Sequence, residues 1–378
     1  METKLKGKKI LFVCTTDNMI TQFLVPHIKD LLSFGAEVYC VCTKTGDCFE
    51  EIKSLDINVV NLKMKRSPIN FTNLNAYFSL KKMQKQHKFD YIFCQQPTAG
   101  MLGRLIGKKF KIPVIYTAHG FFFFKGNNIV KNFVFRSAEK YLSNYTTAIL
   151  TMNQQDFDAT KNWKHPTKFL IHGIGLDTKK LSAESFEKTD FKKSLGLNDE
   201  DIVVTSVSEF IKRKNHKTMF KAMKIILEQN SNVKYLVCGT GKLLNRMKKY
   251  AKKLGIENKI MFLGYRNDVA KILQISDIFF HQSFHEGLTV SIMEAMYFGI
   301  PVVASAVRGN SDLVENGTNG ITTKPKDAKS QAKAIQYLID NPIERTMLGQ
   351  QAQQKVPPFY LDNVRNELKQ IYKDLGII

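Results

Sequence analysis

Residues 278–305, IFFHQSFHEGLTVSIMEAMYFGIPVVAS, read as one strand–loop–helix–strand unit. IFF is an apolar strand, HQSFHEGLTVS is a loop with one glycine, and PVVAS is the next apolar run. A helix starting near Thr289 joins them. Such short apolar runs, separated by a helix, suit parallel strands buried on both faces. The same stretch raises a chemical question. Glu294 lies inside the apolar helix, eight positions after Glu286 in the loop. A buried carboxylate costs several kcal/mol unless donors meet it.

The β-α alternation extends in both directions. KKILFVCTT, EVYCVCTK, NVVNLKM, YIFCQQP, PVIYTAH, TAILTM and KFLIHG form a first series of strand-like runs. IVVTSVS, KYLVCGT, KIMFLG, IFFHQS, PVVAS and ITT form a second. Between them, residues 178–200 are polar and carry no strand signal. At 378 residues the chain exceeds what one core usually fills. The expectation is α/β, two Rossmann-like doubly wound domains facing each other across a cleft. Their spans are 1–180 and 181–357, followed by an amphipathic C-terminal helix in 358–378 that could pack on either half.

The net charge is +22, from 56 Lys and Arg against 34 Asp and Glu. That field favours polyanions: nucleic acid, an anionic membrane surface or phosphorylated substrates. No nucleic-acid recognition motif accompanies it, so no nucleic-acid partner is expected. No apolar run approaches the ~18 residues of a membrane span, and the basic start lacks a cleavage site. The six cysteines lack paired C-x-x-C spacing and read as reduced core thiols of a cytosolic protein.

In doubly wound sheets, ligands bind at the loops beyond the carboxyl ends of the strands. In the loop after IFF, Gly287 allows close backbone approach and the helix start offers free N–H groups to an anion. Eight residues at about 1.5 Å rise separate the two glutamates by roughly 10 Å. An acid/base pair of a retaining glycosidase is closer, about 5–5.5 Å. The spacing therefore suits two grips on one extended ligand. A solvated loop glutamate and a lysine-paired helix glutamate are the plainer alternative. After IVVTSVS come Lys212, Arg213 and Lys214, able to neutralise a diphosphate. CGTGKL, with Gly241, lacks both the dinucleotide and the Walker spacing, which disfavours a nucleoside-triphosphate hydrolase. His119 and Gly120 stand at the end of the strand PVIY. The phenylalanines of TAHGFFFFKGNN, with Ile129, Val130, Phe133, Val134 and Phe135, exceed what one helix face buries. With Lys125, Lys131 and Arg136 interleaved they suit either a membrane-contacting surface or a domain core.

HEGLTVSIMEAMYFGIPVVAS resembles the E-x7-E signature of the retaining GT-B glycosyltransferases of family 4. TAHG, GIGLD at an interdomain hinge, the K-N pair of SEFIKRKNHKT and NGTNG extend the likeness over nearly the whole chain. TAHGFFFFKGNN and SEFIKRKNHKT look most like the capsular and exopolysaccharide branch. The resemblance implies a UDP-sugar donor bound mainly by the second domain. Glu294 would accept from ribose hydroxyls, and Glu286 would hold a sugar hydroxyl. Gly287 and Leu288 would face the phosphates through their backbone. Lys214 would bind phosphate, and His119 would lie near the sugar and diphosphate. His119, Glu286 and Lys214 are the expected catalytic residues. Arg213, Gly241, His285 and Thr289 complete the donor set. No metal and no other cofactor is expected, because no D-x-D motif stands in a suitable loop.

The sequence departs from the family in places. Glu209 stands where an arginine is common, with Arg213 nearby as its replacement. Thr289 replaces a proline, Arg308 a glycine, and TTDNMIT the usual glycine-rich first loop. The expected activity is retaining transfer of a hexose or N-acetylhexosamine to a polyprenyl-diphosphate-linked or other glycan acceptor. The expected setting is bacterial surface-polysaccharide synthesis at the inner face of the cell membrane, with peripheral contact to anionic lipid. A GT-B-like sugar-nucleotide epimerase remains the alternative enzyme, and a basic nucleic-acid-binding protein, on the +22 charge alone, the lesser alternative.

Overall fold

Two parallel sheets organise the chain in the computed structural model, which describes residues 4–46, 48–55, 57–68, 70–182 and 186–378. The first comprises β1 (Lys9–Thr16), β2 (Glu37–Thr43), β3 (Asn58–Asn61), β4 (Tyr91–Gln95), β5 (Val114–Ala118), β6 (Ala148–Thr151) and β7 (Thr167–Leu170), in the order β3-β2-β1-β4-β5-β6-β7. The second comprises β8 (Ile202–Val207), β9 (Val233–Cys238), β10 (Ile260–Gly264), β11 (Ile278–His281), β12 (Val302–Ser305) and β13 (Gly320–Thr323), in the order β10-β9-β8-β11-β12-β13. Each apolar run picked out in the sequence holds one of these strands. The central ones are buried along their length, β6, β11 and β12 at every residue. Helices on both faces cause this, and they are why these strands lack polar alternation.

The longer helices are α1 (Val25–Ser33), α2 (Phe71–His87), α3 (Pro97–Phe110), α4 (Ile129–Ser143), α5 (His216–Gln229), α6 (Leu244–Lys253), α7 (Val290–Tyr297), α8 (Ala328–Asp340) and α9 (Pro342–Lys355). The last is α10 (Leu361–Asp374). In each sheet the strand order reverses direction once, between β1 and β4 and between β8 and β11. Loops leaving such a pair diverge to opposite faces and open a crevice. The loops after β8 and β11 carry Lys212–Lys214 and Glu286 respectively.

The chain forms two compact units, Met1–Gly175 with Leu361–Ile378, and Leu176–Tyr360. The change of unit thus falls at Gly175/Leu176, five residues before the 180/181 expected from the onset of the polar segment. Backbone packing sets it there. Gly175 has φ +91°, and a Cβ on it would lie 2.7 Å from the Cα of Leu361. One residue on, the Leu176 N–H donates to the Phe359 carbonyl at 2.8 Å. The outgoing and returning strands of chain therefore run side by side. The polar segment 178–200 holds two short helices, Thr178–Leu181 and Lys188–Ser194, and residues 183–185 within it lie outside the described residues.

Helix α10 belongs to the first unit. Its Arg365 guanidinium donates to both carboxylate oxygens of Asp30 on α1, at 2.8 and 2.6 Å, and Lys369 lies 3.3 Å from the same group. Tyr372 meets Phe93 edge-on at 5.5 Å. Burial pushes the Asp30 carboxyl up, but those cations outweigh it and hold the group below its ordinary pKa.

The Phe-rich segment is part core and part exposed surface. Phe121 and Phe123 stack 4.8 Å apart within the first core, beside Trp163. On α4, Ile129, Val130, Phe133 and Val134 are exposed, as are Phe71, Leu74 and Phe78 on α2. Cys14, Cys40, Cys42, Cys94 and Cys238 are buried free thiols, and burial pushes Cys94 up to about 12. Such thiols are unreactive.

Asp30→Ala should leave Lys369 without its acceptor and Arg365 with Asp362 alone, and so loosen α10. A loss of about 1–3 kcal/mol is expected, since one side of the pair is partly exposed. Trp163, the single tryptophan, lies buried in the first unit, so its fluorescence during urea unfolding measures the change.

Candidate functional site

The loop after β11 carries Glu286 into a nest of cations. Glu286 is 5% exposed. Lys214 Nζ donates to its Oε1 at 2.7 Å, and the Arg213 guanidinium pairs with Oε2. His281, at the end of β11, reaches Oε1 at 3.3 Å. Burial alone would push this carboxyl up. Lys214, His281 and Arg213 outweigh burial and hold it well below the usual carboxylate range. Glu286 is therefore a fixed anion near neutral pH and has no proton to give.

The sequence brings these partners together because β8 and β11 are neighbours at the point where strand order reverses. Lys212–Lys214 form a single 3-10 turn after β8, ended by Asn215 in the left-handed region at φ +57°. The Asn215 side chain secures that turn, donating to the carbonyls of Gln282 at 2.9 Å and Pro325 at 2.5 Å. The Phe284 N–H donates to the Arg213 carbonyl at 2.9 Å, and Arg213 donates to the His285 carbonyl at 3.2 Å. Arg213 thus lies beside the Glu286 carboxylate. Burial lowers Lys214's pKa, and the neighbouring Glu286 charge opposes that.

Two departures from the family pattern acquire structural partners. Arg308 Nε donates to the Glu286 carbonyl at 2.8 Å, and Thr289 Oγ1 donates to Asn310 Oδ1 at 2.7 Å. Both tie the loop after β11 to the loop after β12. Gly309, with φ +81°, lets those loops touch, for a Cβ there would fall 2.6 Å from the Gly287 carbonyl oxygen. None of these contacts was legible in the spacing of the motif. Gly241 also has a packing reason. At φ +143°, a Cβ on it would lie 2.8 Å from both the N and the O of Phe210. Its conformation lets the turn after β9 lie on the backbone of the loop after β8.

Glu294 is the opposite case. It lies on α7, whose first residues follow Thr289, and the N–H groups of Val290 and Ser291 at that helix start meet no protein acceptor among the described residues. The Glu294 carboxylate likewise has no hydrogen bond or ion pair among the described residues. The lysine-paired alternative raised by the sequence is not found among the described residues. Burial without a donor raises its pKa to about 7. His285, which flanks Glu286, is pushed down to about 4 by burial and by Arg213.

In the first unit, His119 follows β5, and its Nε2 lies 2.7 Å from Gln95 Oε1 at the end of β4. The Gln95 amide also faces Thr117 Oγ1 at 3.5 Å. Burial lowers this histidine to about 3, so the ring is neutral across the physiological range. Gln95 carried no sequence signal; only the pairing of β4 with β5 puts it beside His119. Among the described residues there is no group of three or more His, Cys, Asp and Glu placed to hold a metal ion.

Residues 187–355 match the family described as glycosyl transferases group 1, and residues 9–153 match glycosyl transferase 4-like. EpsD of Bacillus subtilis (strain 168) is 28% identical over 374 residues, 97% of this chain and 96% of that protein. The UDP-Gal:alpha-D-GlcNAc-diphosphoundecaprenol alpha-1,3-galactosyltransferase of Escherichia coli is 28% identical over 312 residues, 81% of this chain and 80% of that one. The crystal structure of Anabaena HepE in complex with UDP-glucose superposes with a TM-score of 0.80 at 18% identity, covering 97% of this chain and 99% of that chain. That last likeness is one of fold.

An unpartnered carboxyl with a raised pKa costs stability once it ionises. The unfolded side chain titrates near 4.3, the folded one near 7. The penalty therefore grows as pH rises from about 4 to 7 and is constant above. Glu294→Gln removes it. The variant should gain on the order of 1–3 kcal/mol over wild type at pH 8 and little at pH 4.5, read from urea midpoints at the two pH values.

Proposed function

The chain belongs to the GT-B glycosyltransferases of family 4, and from that premise we propose that it transfers a hexose or N-acetylhexosamine from a UDP-sugar with retention of anomeric configuration. The acceptor in this reading is a polyprenyl-diphosphate-linked or related glycan of bacterial surface-polysaccharide synthesis. The similarity to the undecaprenol-linked Escherichia coli enzyme supports that class. The observation that carries the reading is the contrast within one loop–helix unit. Glu286 is saturated with cations, and Glu294 has no partner at all among the described residues.

The division of labour follows from those environments. Glu294 accepts hydrogen bonds from the ribose hydroxyls, which supply the donors that the protein does not. Glu286 stays ionised, and its remaining lone pairs orient a hydroxyl of the donor sugar. Departure of the nucleoside diphosphate builds negative charge on the phosphate next to the leaving oxygen. Lys214, Arg213 and the free N–H groups that start α7 stabilise that charge; with Glu286 counted, the two cations leave one net positive charge for it. Gly287, Leu288 and Thr289 line the diphosphate through backbone, with His285 and Gly241 at its margins. The neutral His119 ring, held against Gln95, orients the sugar. In this assignment phosphate charge is met by side chains and backbone without a metal ion, so activity should survive chelation by EDTA.

Peripheral attachment to anionic membrane is part of the same proposal. The exposed apolar side chains of α4, with Lys125, Lys131 and Arg136 around them, support it. Among the described residues no helix is long and apolar enough to cross a membrane. The site would then work at the inner face of the cell membrane.

Ribose hydroxyls that donate to Glu294 favour its ionised form and lower its pKa in the complex. UDP should therefore bind more tightly as pH rises through about 7, changing by up to about tenfold per pH unit below it. Glu294→Gln should flatten that profile relative to wild type in calorimetric titrations; identical profiles would remove the ribose assignment. Glu286→Ala should keep UDP binding within a few-fold and lose at least about a hundredfold in turnover. Donor choice is read by hydrolysis of UDP-, GDP- and ADP-sugars, and retention by the anomeric NMR signal of the product. UDP-sugar conversion without any acceptor would favour an epimerase instead.

Phe133→Asp should lower cosedimentation with phosphatidylglycerol vesicles several-fold at low salt while leaving donor hydrolysis unchanged. Wild-type sedimentation of this variant would remove α4 as the contact.

A further inference from the structure

We propose that the groove between α5 and α6 in the second unit is a binding site for a phosphate-bearing ligand, separate from the Glu286 and Glu294 site. A cavity of about 840 Å³ lies there. That falls within the roughly 300–1,000 Å³ range of pockets for small organic ligands. Lys212, Lys217, Arg246, Lys249, Lys253 and Lys326 line it, and no carboxylate does. Among the described residues none of these six forms an ion pair. Lysines elsewhere in the same unit do find carboxylates, as Lys224 does with Glu228 and Lys234 with Asp201.

Like charges gathered round one cavity repel one another, and a bound polyanion relieves that repulsion. The floor of the groove is apolar. Leu243, Met247 and Phe284 supply it, and the Tyr250 ring carries Lys217 at 5.7 Å from its centroid. A ligand with two or more phosphate charges and an apolar or ring-bearing portion fits both halves of this lining.

The groove shares a wall with the Glu286 site. The 3-10 turn Lys212–Lys214 presents Lys212 to the cavity and Lys214 to Glu286. Asn215 locks the turn through Gln282 and Pro325, next to Lys326. Phe284, which lines the cavity, is bonded through its N–H to the Arg213 carbonyl. A ligand in the groove therefore touches the segment that holds both cations of Glu286. Two sources offer the same chemistry, the headgroup of an anionic phospholipid and a soluble phosphorylated molecule.

The test uses the full chain and the variant Arg246→Glu/Lys249→Glu. A second variant, Lys329→Glu/Lys333→Glu, carries the same change in net charge on exposed lysines of α8. Inorganic tripolyphosphate is titrated calorimetrically, and UDP is titrated as the control for the Glu286 site. Cosedimentation with phosphatidylglycerol vesicles is measured in a Phe133→Asp background, which silences the α4 contact. The groove variant should bind tripolyphosphate at least about tenfold more weakly, or lose vesicle binding, while UDP affinity stays within about twofold. Loss of tripolyphosphate alone assigns a soluble ligand, and loss of vesicles alone assigns a lipid headgroup. If the groove variant matches wild type in both measurements, or the α8 variant loses as much, the site does not exist as proposed.

Discussion

The buried carboxylate of Glu286 is the constraint around which the second unit is arranged. An anion at 5% exposure needs partners, and Lys214, Arg213 and His281 supply them from two different strand ends. Those ends are adjacent only because the sheet order reverses between β8 and β11. The ion cluster and the doubly wound topology therefore depend on each other. Removing one partner would strand charge in a low-dielectric place, a cost of several kcal/mol. This explains the dense hydrogen bonding around it. Asn215, Arg308, Thr289 and Gly309 all hold backbone in register with that one carboxylate.

Glu294 shows the other way a protein treats a carboxyl. It has no donor among the described residues, and burial leaves its ionisation unfavourable. Evolution commonly tolerates such destabilised groups where binding needs them. The two glutamates of one motif thus differ because tertiary neighbours differ, not because of their spacing. His119 is tuned in the same manner in the first unit, where burial keeps the ring neutral beside Gln95.

Charge and apolar surface are also distributed unevenly. The excess of 22 positive charges could have been a diffuse surface property. In the second unit part of it gathers around one groove without acidic partners. In the first unit, apolar side chains of α2 and α4 stay exposed while Phe121 and Phe123, a few residues upstream of α4, complete the core. A run of phenylalanines read as one feature is in fact two. The exposed part is one face of α4, whose other face, with Phe135 and Leu142, packs inward.

The amino-acid sequence alone determined the strand runs, the two-part organisation and the E-x7-E motif. Apolar runs between helix-length segments leave few architectures that bury both faces. The likeness to a glycosyltransferase family was legible in the same residues, because the loop of Glu286 and the helix of Glu294 are contiguous in the chain. Tertiary structure decided what no local pattern could. Lys214 and Glu286 are 72 residues apart, and Arg308 comes 22 residues later still. Gln95 beside His119, α10 with the first unit, and the unpaired cations of the α5–α6 groove depend equally on strand order and helix packing. The physical reason is that burial and partnership set the protonation and availability of a side chain, and both are properties of neighbours distant in sequence.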